Sequence, residues 1–145
     1  MARLVLTNVE VTFGSTNLSD HIASVSLSST YDVVETTAFA GISGALGNVP
    51  NAAKTRTAGL VDNSVTLEFH QDFAAGSVEA VVYPELGKEV VIVVQPVAAA
   101  GVSADNPSYT FTAVVTEWTP LNGAVGELAT ASVTWPITGR IVKAV

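Results

Sequence analysis

The chain has 145 residues, 48% of them apolar and only 13% charged, with thirteen acidic residues against six basic ones and a net charge of −7. That length suits a single domain, 1–145, burying roughly 70% of its unfolded surface, while the charged fraction is about half the usual quarter of a soluble domain. An acid excess without clustered Lys or Arg disfavours a protein that grips nucleic acid, and the lack of cysteine excludes disulfides and thiolate ligands and fits assembly in a reducing cytoplasm.

A surface this poor in charge fits either burial against further copies or a compact alanine- and valine-rich monomer. At the start of the chain, Arg3 precedes only Leu4-Val5-Leu6 before polar Thr7 and Asn8, too short a run for a secretory signal. The longest strongly apolar run, Val90 to Val94, is stopped by Gln95 and Pro96, far short of the ~20 residues a spanning helix needs. No membrane association is expected.

Ile22 to Thr30 alternates Ala23, Val25 and Leu27 with Ser24, Ser26 and Ser28, which predicts a strand. Phe39 to Asn63 follows with glycines, Pro50, the basic pair Lys54 and Arg56, and no period. Unstructured loops beyond ~12–15 residues are uncommon in compact domains. Its apolar residues Ile42, Leu46, Val49 and Leu60 exceed what a solvated linker needs, so it reads as an arm that orders against a partner, with a flexible surface loop as the alternative. Ser64 to Gln71 then sets Val65, Leu67 and Phe69 against Thr66, Glu68 and His70, a second strand.

At Asp72 the period changes. Phe73, Ser77, Ala80 and Val81 fall at helical spacing, Asp72 can cap them, and Pro84 and Gly87 close the segment, which predicts a helix. Val90 to Val94 has no alternation and predicts a strand covered on both faces. Ala98 to Ser108 reads as a long turn, and Tyr109 to Trp118 and Thr130 to Ile137 read as strands, the latter aligning Ala131, Val133 and Trp135.

No pattern carries catalysis. His21 and His70 lack metal-ligand spacing, and His70 beside Glu68 reads as a solvated strand face rather than a proton shuttle. Gly47 to Thr55 ends like a phosphate loop but has Asn48 and Ala53 where glycine and the motif's context are required. No G-x-S-x-G elbow occurs. Trp118 and Trp135 lack basic neighbours and read as core or interface anchors. The chain is therefore expected not to be an enzyme and to need no cofactor or metal.

Two stretches carry a resemblance: Ser64 to Gly87, SVTLEFHQDFAAGSVEAVVYPELG, and Asn106 to Ile141, NPSYTFTAVVTEWTPLNGAVGELATASVTWPITGRI. Both resemble the major tail tube proteins of long-tailed bacteriophages (siphophages), particularly those infecting actinobacteria, and Leu18 to Ala40 is similar to the same family's first strands. The resemblance implies a mainly β fold, a β-sandwich or barrel-like core with one flanking α-helix and a long inter-strand arm at about 39–63. It implies homo-hexameric rings stacked into a helical tube within the virion, meeting tape measure, terminator and distal tail proteins and passing double-stranded DNA without specific binding. In that setting Ile42, Leu46, Val49, Pro50, Lys54, Arg56 and Leu60 would belong to the inter-subunit arm, and Glu68 is a candidate for the lumen wall. A capsid decoration protein, a tail terminator or the tube of a contractile secretion system are the alternatives.

Overall fold

Alternation with a period of two is realised as strands. In the computed structural model, which describes residues 3–38 and 53–145, the chain is mainly β. Among the described residues, one antiparallel sheet accompanies one short helix. The strands are β1 (Glu10–Phe13), β2 (Thr16–Asn17), β3 (Ile22–Glu35), β4 (Arg56–His70), β5 (Glu89–Gln95), β6 (Ser108–Val114) and β7 (Thr130–Ala144), and the helix is α1 (Val78–Val82). Their order across the sheet is β2-β1-β5-β6-β7-β4-β3. The chain forms two compact units, one of Met1–Ser28 with Asn63–Val145 and one of Ser29–Asp62.

The first unit holds the core. On β4 and β7 the alternating residues predicted to face inward do so: Val65 lies opposite Trp135, Leu67 opposite Val133 and Phe69 opposite Ala131, all buried. Val11 and Phe13 of β1, Ile92 of β5 and Phe111 of β6 join the same cluster. Phe13 and Trp135 stand 5.8 Å apart between ring centroids, although β5 and β6 separate their strands in the sheet. Laid flat, three strand spacings would hold them about 14 Å apart. The sheet therefore curls around its apolar face, as a barrel-like core requires.

Part of that curvature has a local cause. Thr110 of β6 pairs with Val142, but Thr112 pairs with Thr138, so three residues of β7 oppose one of β6. Gly139 begins this bulge at φ +79°, a conformation that glycine adopts without the Cβ penalty.

Three sequence expectations are corrected. β5 is covered on one face only: Val90, Ile92 and Val94 are buried, whereas Val91 is 49% exposed. The run is apolar throughout, so its composition does not distinguish the faces. The helix is shorter than predicted and turned differently. It begins after Ser77, buries Val78 and Val82, and passes into a 3-10 turn at Tyr83–Glu85, while Phe73 is exposed. Asp72 caps no helix; its Oδ1 accepts the Ala74 N–H at 2.9 Å and its Oδ2 the Ser77 hydroxyl at 2.7 Å, forming a turn that Gly76 extends at φ +73°. Finally, β6 ends at Val114; Val115 remains buried, and the chain from Thr116 to Ala129 has no regular structure.

The long turn before β6 is held by one side chain. Asn106, buried, accepts the Val97 N–H at 3.0 Å and donates to the carbonyls of Val97, Ala100 and Gly101. One amide thereby satisfies four backbone groups.

The second unit contains the remainder of β3 and β4. Thr36 N–H donates to the Thr55 carbonyl at 2.8 Å, and the Thr55 N–H to Thr37 Oγ1 at 2.9 Å. A Cβ on Gly59 would lie 3.0 Å from Val34 Cγ2 and 3.3 Å from Asp32 Cβ, so glycine permits the close cross-strand approach. Residues 56–63, read from sequence as part of an aperiodic arm, are strand. Thr57-Ala58-Gly59-Leu60 shows no alternation because neither strand face has an apolar core to meet within this unit.

Candidate functional site

The second unit has no buried residue among those described. Tyr31 and Val33 on β3 and Leu60 on β4 are exposed, the last by 80%. Two-stranded ribbons are marginal in water without a packed face, and apolar side chains left in solvent cost about 25 cal/mol for each Å² that a partner surface would cover. The ribbon thus carries apolar side chains that nothing within its own unit covers.

Its charges are partly used internally. Lys54 Nζ lies 3.8 Å from Glu35 Oε1, an exposed pair of small energetic consequence. Arg56 is exposed and has no ion pair among the described residues. Leu60 joins them on the ribbon, whereas Ile42, Leu46, Val49 and Pro50 lie outside the described residues.

Glu68 belongs to the first unit. It stands on the β4 face turned away from the core, opposite Ser132 of β7, half-buried. Its surroundings on this face are hydroxyls, with Thr66 Oγ1 and Thr134 Oγ1 3.2 Å apart. The face is polar and sparsely charged, with His70 on it but no Lys or Arg on β4 from Asn63 to His70.

Further apolar exposure lies outside the predicted arm. Leu4, Val5 and Leu6 at the start of the chain, and Leu121, Val125 and Leu128 in the loop before β7, are all exposed. Sequence reading did not single these residues out.

A Ser–His–Asp grouping does form, and its geometry is structural. His21 Nε2 lies 3.3 Å from Ser77 Oγ and 3.6 Å from Asp72 Oδ2, while Ser77 donates its proton to that same carboxylate. A charge-relay triad needs the serine on one imidazole nitrogen and the carboxylate on the other; here both meet Nε2. The Ser77 hydroxyl, then the Ala74 N–H, hold Asp72 below the usual carboxylate range, with His21 adding a smaller electrostatic contribution. The grouping ties the 3-10 turn Ser19–His21 to the loop that leads into α1.

The tryptophans are likewise structural. Trp135 is fully buried and donates Nε1–H to the Glu117 carbonyl at 2.9 Å. Trp118 packs edge-on against Phe69 at 5.3 Å and donates to Glu79 Oε2 at 2.7 Å. Among the described residues no three His, Asp or Glu side chains gather as a metal site requires, and no helix is long and apolar enough to cross a membrane.

No protein-family model matches the chain, and no curated protein matches it. Among solved structures it is similar in fold to a chain of the six-fold-symmetrised cryo-electron-microscopy structure of the anti-feeding prophage baseplate. The TM-score is 0.57 at 14% identity, over 99% of this chain and 97% of that one.

Proposed function

We propose that this protein is a structural subunit of a phage tail or a phage-tail-like particle, forming six-membered rings that stack into a hollow tube through which DNA passes. The observation that carries this reading is the shared fold over essentially the whole chain with a component of a six-fold-symmetrised prophage baseplate. The ribbon without a buried residue and the exposed apolar groups at Leu4–Leu6 and Leu121–Leu128 support it, since obligate assemblies bury large apolar surfaces. Head-to-tail contacts close a ring where the rotation permits, and a second set of contacts stacks rings into an open filament. The ribbon, with Arg56 and Leu60, is the element assigned to the neighbouring ring; its partners beyond the tube are the other tail proteins, in the virion.

Charge fits the DNA role. Six copies of a −7 subunit repel phosphates, and a hydroxyl-rich β4–β7 face bearing Glu68 offers the polymer nothing to grip. Negative-stain microscopy of purified protein at rising concentration tests the reading: six-fold rings or hollow tubes are expected, and dispersed monomers even in the presence of the tail initiation complex would overturn it.

A second reading follows from the same neighbour, because that structure is of a baseplate. In it the subunit forms one ring at the tube's end, or the tube of a contractile secretion system, and carries no DNA. Assembled particles whose lumen never contains nuclease-protected DNA would favour it.

A further inference from the structure

A groove of about 510 Å³ lies in the first unit, lined by Leu6–Val9 and by Ile22–Val25 of β3, together with Val11, Ser19 and Asp20. Four consecutive strand residues line it. Because side chains alternate between faces, a groove across a sheet face would meet every second residue; one lined by consecutive residues runs along the strand's edge, where the backbone N–H and C=O groups point. β3 is the terminal strand of the sheet and pairs only with β4.

Soluble proteins protect such edges with lysine, proline or bulges. From Ile22 to Tyr31 this edge has no charge and no proline. It is an open template for another strand.

The occupant can be argued from charge and reach. Asp20, with its side chain 81% exposed, is the one charged residue lining the groove. Arg3 is the one charged side chain among the first nine residues, and the apolar Leu4 and Val5 after it are exposed. The chain's own Arg3–Val5 is poorly placed to fill the slot. Leu6–Val9 forms its wall and is anchored by the Asn8 carbonyl, which accepts the Ala98 N–H at 2.9 Å, and three residues span at most about 10 Å, too few to reverse and re-enter.

We propose that Arg3–Val5 of one copy adds as a short strand to the β3 edge at Ile22–Val25 of a second copy, with Arg3 paired to Asp20. This inference rests on the self-assembly reading above and names one contact within it. Arg3 at the Asp20 end makes the added strand parallel to β3 and brings Val5 beside Ser24. Adjacent strands lie about 4.8 Å apart, within the span of a disulfide.

The natural chain has no cysteine, so a disulfide can form only between introduced residues, and each variant oxidised alone controls for symmetric pairing. Full-length Val5→Cys and Ser24→Cys chains are mixed, oxidised under assembly conditions, and followed by non-reducing electrophoresis with microscopy of the same samples. A covalent two-chain species is expected from the mixture and not from either variant alone, and Asp20→Lys should weaken association several-fold, with Arg3→Glu in the same chain restoring it. An internal cross-link in the doubly substituted chain, with none between mixed single variants, would overturn the proposal in favour of the chain's own segment. Rings or tubes without any cross-link would overturn the contact while leaving the assembly reading intact. Absence of both rings and cross-links would sink the reading on which it rests.

Discussion

Asn63 donates its side-chain amide to the carbonyl of Gly139 at 2.9 Å, joining the first β4 residue of the core unit to the bulge in β7. Asn63 is 3% exposed, so an unpaired amide there would carry the penalty of a buried polar group. The contact gives the bulged carbonyl a partner where the ladder with β6 is interrupted.

Asn63→Ala should therefore destabilise by about 1–3 kcal/mol. Gly139→Ala should cost about 1–2 kcal/mol through backbone strain alone, since a Cβ there meets nothing within 4 Å. Urea unfolding followed by tryptophan fluorescence measures both. An unchanged midpoint for Gly139→Ala would mean that the bulge relaxes without its left-handed residue.

Trp135 links the two limbs of the curled sheet, lying 5.8 Å from Phe13 and 6.1 Å from Phe69. Trp135→Ala should cost about 3–5 kcal/mol, a large part of a typical domain's stability. Thermal unfolding in the unassembled state would show the loss; a near-native midpoint would contradict the curled-core geometry.

Asp72 gives the fold an acid dependence. Its carboxyl titrates below its ordinary value, chiefly because it accepts the Ser77 hydroxyl. A depressed folded-state pKa adds stability above the unfolded value, near 4, and that stability is lost as pH falls through the folded value. Asp72→Asn should lower stability at neutral pH and flatten the dependence below about pH 4. Urea midpoints at pH 7 and pH 3 test this, and equal pH slopes in the two proteins would contradict it.

Gly59 is the position at which the ribbon's proposed role in assembly is tested. Gly59→Val places branched carbons where a Cβ alone comes within 3.0 Å of Val34, so the ribbon must open. The core unit does not include Gly59, and its melting temperature should change little while assembly fails. A variant that assembles normally would remove the ribbon from the interface.

The core was legible in the sequence and much of the exposed apolar surface was not. Val65, Leu67 and Phe69, with Ala131, Val133 and Trp135, alternate because one face is dry within a single chain. β1 is only four residues long, too short for periodicity to stand out. Residues 56–63 lack alternation because their strand has no core of its own, and a pattern set by burial is absent where no apolar residue is buried. The β3 edge is hidden for a different reason: its openness belongs to backbone groups, which composition does not report. His21, Asp72 and Ser77 are far apart in the chain or obscured by a helical spacing that Gly76 breaks.

The most direct test of the central claim is the mass of the assembled species, measured by native mass spectrometry and sedimentation velocity across a concentration series. The account predicts a six-fold multiple of the 14.9 kDa chain as the first closed species, followed by integral stacks of it. A single monomeric species at every concentration, with or without tail initiation complexes, would contradict it.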